Sequence, residues 1–370
     1  MTEVNITSVN LRGAKKWIKI SHRPPMSSQR FEDTLYFTRT QRMRAKKFLA
    51  IMDGCSRQSA KYRRERNLKK LKAIDRTAQK QLLAYGTSLF RILKKVKSRP
   101  VKTFEDFFGE IIGDVLLNLD EQTRRFPWEL AHDGDDFLCA KYSVGRIAVM
   151  PGAERIAGLP PQSRKALVVG LNYRWLPKKN RLHTPEREAL QVAMRLKKLR
   201  YSPIVLRGFD ACKEKIMKIL SEGVGVFHFS GHGNYLRNQP EGKRGRLILR
   251  DGELNEDELR DCFAKAKGAP YLSFLNACDS AKEIYNSHLI DAFLDYGAEN
   301  VVGTMWSVYD DPAREMAVRF YDKAVRQENF GTALLTPRLH FCGSRKQVEA
   351  ATWPAFVLYG SPSNILPRAP

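Results

Sequence analysis

The chain has no apolar run long enough to span a bilayer, and its N-terminus (MTEVNITSVN) lacks both a basic flank and an apolar signal core. The plain expectation is a cytoplasmic protein. Cysteine is sparse and dispersed. Cys55, Cys139, Cys212, Cys262, Cys278 and Cys342 include no CxxC pair, which argues against structural zinc and against a disulfide framework. Acidic residues are scarce in one region only. Residues 1–100 hold 26 Lys+Arg against 6 Asp+Glu, so most of the formal +24 sits there. Aromatics are thin in the same region (Trp17, Phe31, Tyr36, Phe37, Phe48, Tyr62, with Tyr85 and Phe90 further on), which argues against a base-stacking platform. No internal repeat is present.

At 370 residues the chain can form one large domain or two modest ones. Alternating apolar residues in 1–30 (Val4 and Ile6, Val9 and Leu11, Ile18 and Ile20) fit a short strand or hairpin, punctuated by Pro24–Pro25. From Phe31 to Lys97 the pattern turns helical. KYRRERNLKKLK at 61–72 reads as a solvated helix face, and Leu82, Tyr85, Leu89, Ile92, Leu93 and Val96 mark an amphipathic helix that must dock on something. Residues 101–150 read as strands and turns of a small sheet, and 151–165 has the composition of a linker.

From 166 onward strands and helices alternate. ALVVGLN (166–172), PIVLRG (203–208), VFHFS (226–230), LSFLNA (272–277), NVVGTMW (300–306) and AFVLYG (355–360) read as six strands. Thr184–Pro185 predicts one helix start, Asp210 a second, Asn255 with Glu258 a third, and Asp311–Pro312 another. Asp251–Gly252 predicts a hairpin turn. The expectation is an α/β body, a mainly parallel sheet of about six strands sandwiched by helices. It divides as a basic, mainly helical region 1–100, a small sheet and linker 101–165, and a core 166–370.

Two of these strands stop abruptly at chemistry-bearing residues. VFHFSGHG delivers His232 between Gly231 and Gly233, and LSFLNACDS delivers Cys278 between Ala277 and Asp279. If the strands are parallel neighbours about 4.8 Å apart, the imidazole and the thiol emerge side by side at one rim. Cys278 has two readings: an attacking thiolate, or a small buried hydrophobe, as most free cysteines are. Its polar company (Asn276, Asp279, Ser280) favours the first. His232 is a base or a turn histidine. The flanking glycines allow close backbone approach, and the Gly233 N–H is placed to meet a developing oxyanion. His228 shares a strand face with His232, but nothing completes a metal site, so it reads as a core histidine.

HFSGHG and LNACDS resemble the His and Cys blocks of the CHAT proteases, caspase-like cysteine peptidases related to caspases, metacaspases, gingipains and separase. RRFPWEL (124–130), GAENVVGTMWSVYDD (297–311) and WPAFVLYGSP (353–362) resemble further blocks of that family, in its order. The resemblance implies a caspase-like fold with Cys278 as nucleophile and His232 as general base and acid. Backbone N–H groups of Gly233 and Cys278 would form the oxyanion hole. The loop Trp306–Asp311 (Trp306, Ser307, Val308, Asp310) would wall the specificity pocket. There Asp310, or Asp311 or Asp279, could receive a basic side chain; Asp311 before Pro312 also reads as a helix N-cap. No third side chain is evident to orient the imidazole, and neither a metal nor an organic cofactor is required. It further implies a regulated endopeptidase of prokaryotic immunity or cell death, cutting a specific protein such as a gasdermin-like precursor or a zymogen. A regulatory protein partner would go with that activity. The rival is a non-catalytic adaptor whose basic N-terminal region binds an acidic protein or nucleic acid.

Overall fold

A computed structural model of the chain describes residues 2–9, 17–23, 31–36, 38–94, 97–98, 102–103, 113–120, 123–149, 163–236, 238–240, 242–278, 280–281, 289–343 and 350–369. The N-terminal alternation forms strands β1 (Thr2–Val9), β2 (Trp17–Arg23) and β3 (Phe31–Tyr36), paired antiparallel in sequence. Two 26-residue helices follow, α1 (Arg39–Arg64) and α2 (Leu68–Leu93). Thr38 and Gln41 start α1 with a reciprocal capping box, the Gln41 amide donating to Thr38 Oγ1 at 3.1 Å. Ala45, Phe48, Met52 and Cys55 form its buried stripe. The basic run 61–72 is not one helix face. It contains the turn between the helices, where Arg66 takes a positive φ and Asn67 caps α2.

Lys97–Ser98 (β4) and Lys102–Thr103 (β5) form a small ladder. Then come β6 (Val115–Asp120), the one-turn helix α3 (Leu138–Lys141) and β7 (Val144–Val149). The alternating body runs β8 (Lys165–Gly170), α4 (Pro185–Lys198), β9 (Ser202–Arg207), α5 (Lys213–Ser221), β10 (Val226–Gly231). A three-stranded arm follows, β11 (Gly233–Tyr235), β12 (Gly245–Ile248) and β13 (Glu253–Asn255). The chain continues through α6 (Glu256–Ala266), β14 (Leu272–Ala277), α7 (Leu289–Asp295), β15 (Asn300–Thr304), α8 (Asp310–Ala324), α9 (Phe330–Gly343) and β16 (Phe356–Gly360).

The six expected strands belong to a sheet of eleven, in the order β3-β2-β1-β6-β7-β16-β15-β14-β10-β8-β9. β9, β8, β10, β14 and β15 are mutually parallel, and β16 reverses direction beside β15. β7, β6 and β1 run parallel to β16. The small sheet expected at 101–150 is therefore continuous with the body through the pair Tyr359↔Arg146.

Charge closes that seam. Arg146 is fully buried, pairs with Glu129, donates to the Arg124 carbonyl at 2.9 Å and lies over the Tyr359 ring. Arg124 grips Asp291 of α7 with two bonds of 2.8 Å. The RRFPWEL block is thus a buried clamp between distant strands and helices, which accounts for charged residues inside an apolar stretch.

The chain moves one way along the sheet from β8 to β9 and the other way from β9 through β10 and β14 to β15. Right-handed crossovers then place α4 on one face and α5, α6 and α7 on the other. α8 and α9 join α4, with Arg195 of α4 holding Asp322 of α8 through two bonds. Asn255 and Glu258 form the expected capping box at α6. Asp210 does not cap α5. The α5 cap residue is Cys212, and Asp251 accepts the Lys213 amide at 2.8 Å. Likewise α8 begins at Asp310, with Tyr309 rather than Asp311 in the cap position.

Candidate active site

β10 and β14 are parallel neighbours in register Gly231↔Ala277. The next residue on each is His232 and Cys278, so both leave the sheet at one rim. The strand order changes direction between β8 and β10, the position at which open α/β sheets bind ligands outside their carboxyl ends. Both residues are partly exposed and line one cleft of about 210 Å³.

His232 is oriented from three sides. Its Nε2 lies 2.7 Å from the Asn180 carbonyl oxygen. A carbonyl only accepts, so Nε2 carries the proton and Nδ1 is left as the basic nitrogen of the neutral ring. The backbone carbonyl of Asn180 supplies the orienting group for which no side chain was evident. Tyr173 supplies a second constraint. Its fully buried hydroxyl accepts from the His232 N–H at 2.7 Å and donates to the Ile248 carbonyl at 2.6 Å, and its ring lies 4.3 Å from the imidazole. The phenol thus sits inside the β11–β12 ladder, bridging one of its bonds. Burial pushes the His232 pKa below its ordinary value, against the Asn180 carbonyl and the charge of Asp310, which pull it up.

The glycines around His232 have steric reasons. A Cβ on Gly231 would stand 2.6 Å from the Tyr173 hydroxyl, and one on Gly233 would collide with the Cys278 carbonyl oxygen. Gly233 opposes Leu247 one step beyond the pair in which the Ile248 amide bonds the His232 carbonyl at 2.9 Å. Antiparallel pairs alternate, so the Gly233 N–H points away from β12.

Cys278, which forms no disulfide, stands at the start of a tight turn with its Sγ 3.9 Å from the Val308 carbonyl. Thr304 Oγ1 donates to the Ala277 carbonyl at 2.7 Å, and Ser280 Oγ ties Leu275 to Thr304. Beneath the rim, Glu188 of α4 is fully buried. It accepts from Ser230 Oγ at 2.9 Å and from Asn276 Nδ2 at 2.9 Å, while His228 Nε2 stands 3.0 Å away. One carboxylate therefore ties together the strands that carry the imidazole and the thiol. His228 is a core histidine, and among the described residues no cluster of ligands fit for a metal ion is found.

The expected pocket residues divide. Ser307, Val308 and Asp310 line the cleft. Trp306 does not: it is buried, its indole donates to the Ala351 carbonyl at 2.6 Å, and its ring packs edge-on against Phe48. Asp279 lies outside the described residues. The Asp310 carboxylate accepts from the His183 amide at 2.6 Å and the Thr184 amide at 3.3 Å, so it holds the start of α4.

One wall was not expected. Ser56, Arg57, Ala60 and Arg64 of α1 line the cleft opposite the rim. Asp53 accepts the Ser307 amide at 3.1 Å, Arg63 lies over the Tyr309 ring, and Arg64 donates to the Lys179 carbonyl at 2.6 Å.

A family model described as CHAT domain matches residues 86–361. No curated protein matches the chain. Among solved structures it is similar to the Arg specific cysteine proteinase gingipain R (TM-score 0.54, 11% identity, 75% of this chain and 71% of that one). The Porphyromonas gingivalis RgpB pro- and mature domains align with TM-score 0.52 and 12% identity over 72% of this chain and 69% of that one. The Saccharomyces cerevisiae separase–securin complex gives TM-score 0.59 and 16% identity, covering 97% of this chain but only 30% of that one. At these identities the likeness is one of fold.

Proposed function

This chain belongs to the CHAT domain family, and from that premise we propose that it is a cysteine endopeptidase acting through Cys278 and His232. The observation that carries the reading is the register Gly231↔Ala277, which sets the two residues at one rim of one cleft. His232 Nδ1 takes the thiol proton, and Cys278 Sγ attacks the scissile carbonyl. The Gly233 and Cys278 N–H groups meet the oxyanion as the tetrahedral intermediate forms. The imidazolium, steadied by the Asn180 carbonyl, then protonates the leaving amine as the carbon–nitrogen bond breaks. Water, deprotonated by the same nitrogen, hydrolyses the thioester and regenerates the thiol.

Family likeness supports a regulated cytoplasmic enzyme that cuts a particular protein, such as a pore-forming precursor or zymogen in prokaryotic defence or cell death. A regulatory protein partner goes with that role. A second surface bears on partners. The α1–α2 hairpin exposes Arg39, Arg44, Lys69, Lys72, Arg76 and Lys80, suited to an acidic protein or nucleic acid. An adaptor that binds there without cutting is the competing reading. The test is incubation of the full chain with the products of neighbouring genes. Cleavage that Cys278→Ala and His232→Ala each abolish is the expected result. Cleavage that survives Cys278→Ala, or binding without any cut alongside an unreactive Cys278, overturns the peptidase.

A further inference from the structure

The charge lining the cleft is mostly positive, and the cations come from two distant stretches of chain. Arg57 and Arg64 project from α1, and Lys179 and Arg181 from the segment between β8 and α4. The Arg64 guanidinium reaches the Lys179 carbonyl at 2.6 Å and joins the two stretches into one basic wall. Arg57, Arg64 and Lys179 are exposed, and Arg181 is half-buried, its Nε donating to the Leu176 carbonyl. Among the described residues Asp310 is the one carboxylate that lines the cleft, and two backbone amides bond its Oδ2. Asp53, just behind the wall, pairs with Arg57 and accepts the Ser307 amide. Taken together, the wall keeps a positive surplus over the carboxylates that face it.

Resting on the peptidase reading, we infer that this site selects polypeptide segments with Asp or Glu flanking the scissile bond, and that Arg64, Lys179 and Arg181 are its specificity residues. Among the described residues, a lysine or arginine brought into the cleft meets four cations and a single lining carboxylate, Asp310, whose Oδ2 already holds two backbone amides, whereas an acidic side chain meets several cations at once. Concave walls of one sign concentrate the oppositely charged ligand, and the effect weakens with salt over a Debye length of about 8–10 Å. The basic helix α1, which lies outside the span matched by the family model, thereby becomes part of substrate recognition.

The test reads occupancy and cutting separately on the full wild-type chain. Alkylation of Cys278 by iodoacetamide is followed by peptide mass spectrometry, alone, with an acidic decapeptide rich in Asp and Glu, or with its counterpart bearing Lys in those places. The acidic peptide is expected to slow alkylation about 5-fold or more at low salt, and far less at 0.5 M salt. The lysine peptide is expected to leave the rate unchanged. Arg64→Glu and Lys179→Glu, each checked for native circular dichroism, should each weaken the protection about 3- to 10-fold, an effect of about 0.7–1.4 kcal/mol. Equal protection by both peptides, better protection by the lysine peptide, or none by either overturns the inference. Selective protection by an acidic peptide that is never cut leaves the selectivity standing and counts against the peptidase. Preferential cutting of the lysine peptide does the reverse.

Discussion

Removing the Tyr173 hydroxyl separates what holds the histidine loop from what performs chemistry. In Tyr173→Phe the ring stays, so its packing against Trp175 at 5.4 Å and His232 at 4.3 Å is preserved and no large cavity opens. Two bonds vanish: the one from the His232 N–H at 2.7 Å and the one to the Ile248 carbonyl at 2.6 Å. Each is worth about 0.5–1.5 kcal/mol net, and each partner left unmet in the interior costs about 1–3 kcal/mol. A destabilisation of about 2–4 kcal/mol is expected, seen as a lower urea midpoint at unchanged slope. The amide and carbonyl left behind can instead close on each other. That restores the ladder at small cost but shifts His232 and Gly233 together. Either way kcat should fall about 10- to 100-fold while KM moves little, because in the proposed mechanism the loop carries the base and an oxyanion donor rather than the substrate contacts. A variant with both the wild-type midpoint and the wild-type kcat would refute the bridging role of the phenol.

Glu188→Leu should destabilise the fold by about 2–5 kcal/mol, because Ser230 and Asn276 lose their shared acceptor inside the core. Glu188→Gln, which keeps an acceptor oxygen, should recover most of that in the same urea titration. Arg146→Met should cost about 3–5 kcal/mol by stranding the Glu129 carboxylate, and adding Glu129→Leu should return part of it. Asp75 is held in the core with its pKa pushed up to about 6, chiefly by burial, with the Ala350 amide and Arg63 opposing. A carboxyl raised in the fold adds stability below its unfolded pKa and loses it as pH rises through the folded value. Asp75→Asn should therefore raise stability at pH 7 by about 1–3 kcal/mol, with the gain fading below about pH 4 in thermal melts. Because burial lowers the His232 pKa, the acid limb of kcat/KM should lie below the ordinary histidine value of about 6.5. The same group protonates first in the unfolded chain, so its contribution to stability falls as pH drops from about 6.5 through the folded value. An acid limb above 6.5 would contradict the burial assigned to the ring.

Much of the site was written locally. The six strands of the body, the glycines around His232 and the polar set around Cys278 are patterns of period and composition within ten residues, and such patterns survive in a one-dimensional reading. Glu188 could have been read too. It is a charged residue on the apolar face formed by Ala189, Val192 and Leu196, and that conflict signals a buried partner. Tyr173 left a fainter trace, an aromatic residue just past a strand end.

The rest had no local signature. Every residue has a backbone carbonyl, so nothing in the chain singles out Asn180 as the one that fixes the tautomer of His232. The β7–β16 seam joins residues Arg146 and Tyr359, far apart in sequence, and made eleven strands from what period alone divides into smaller sheets. The burial of Trp306 and the arrival of α1 over the cleft depend on packing between segments about 250 residues apart, as in the bond from the Ser307 amide to Asp53. Sequence determined which residues could react and which strands present them, because those properties belong to short segments. Tertiary structure decided which nitrogen is basic, what charge surrounds the thiol and which helix closes the cleft, because each of those is a relation between segments distant along the chain.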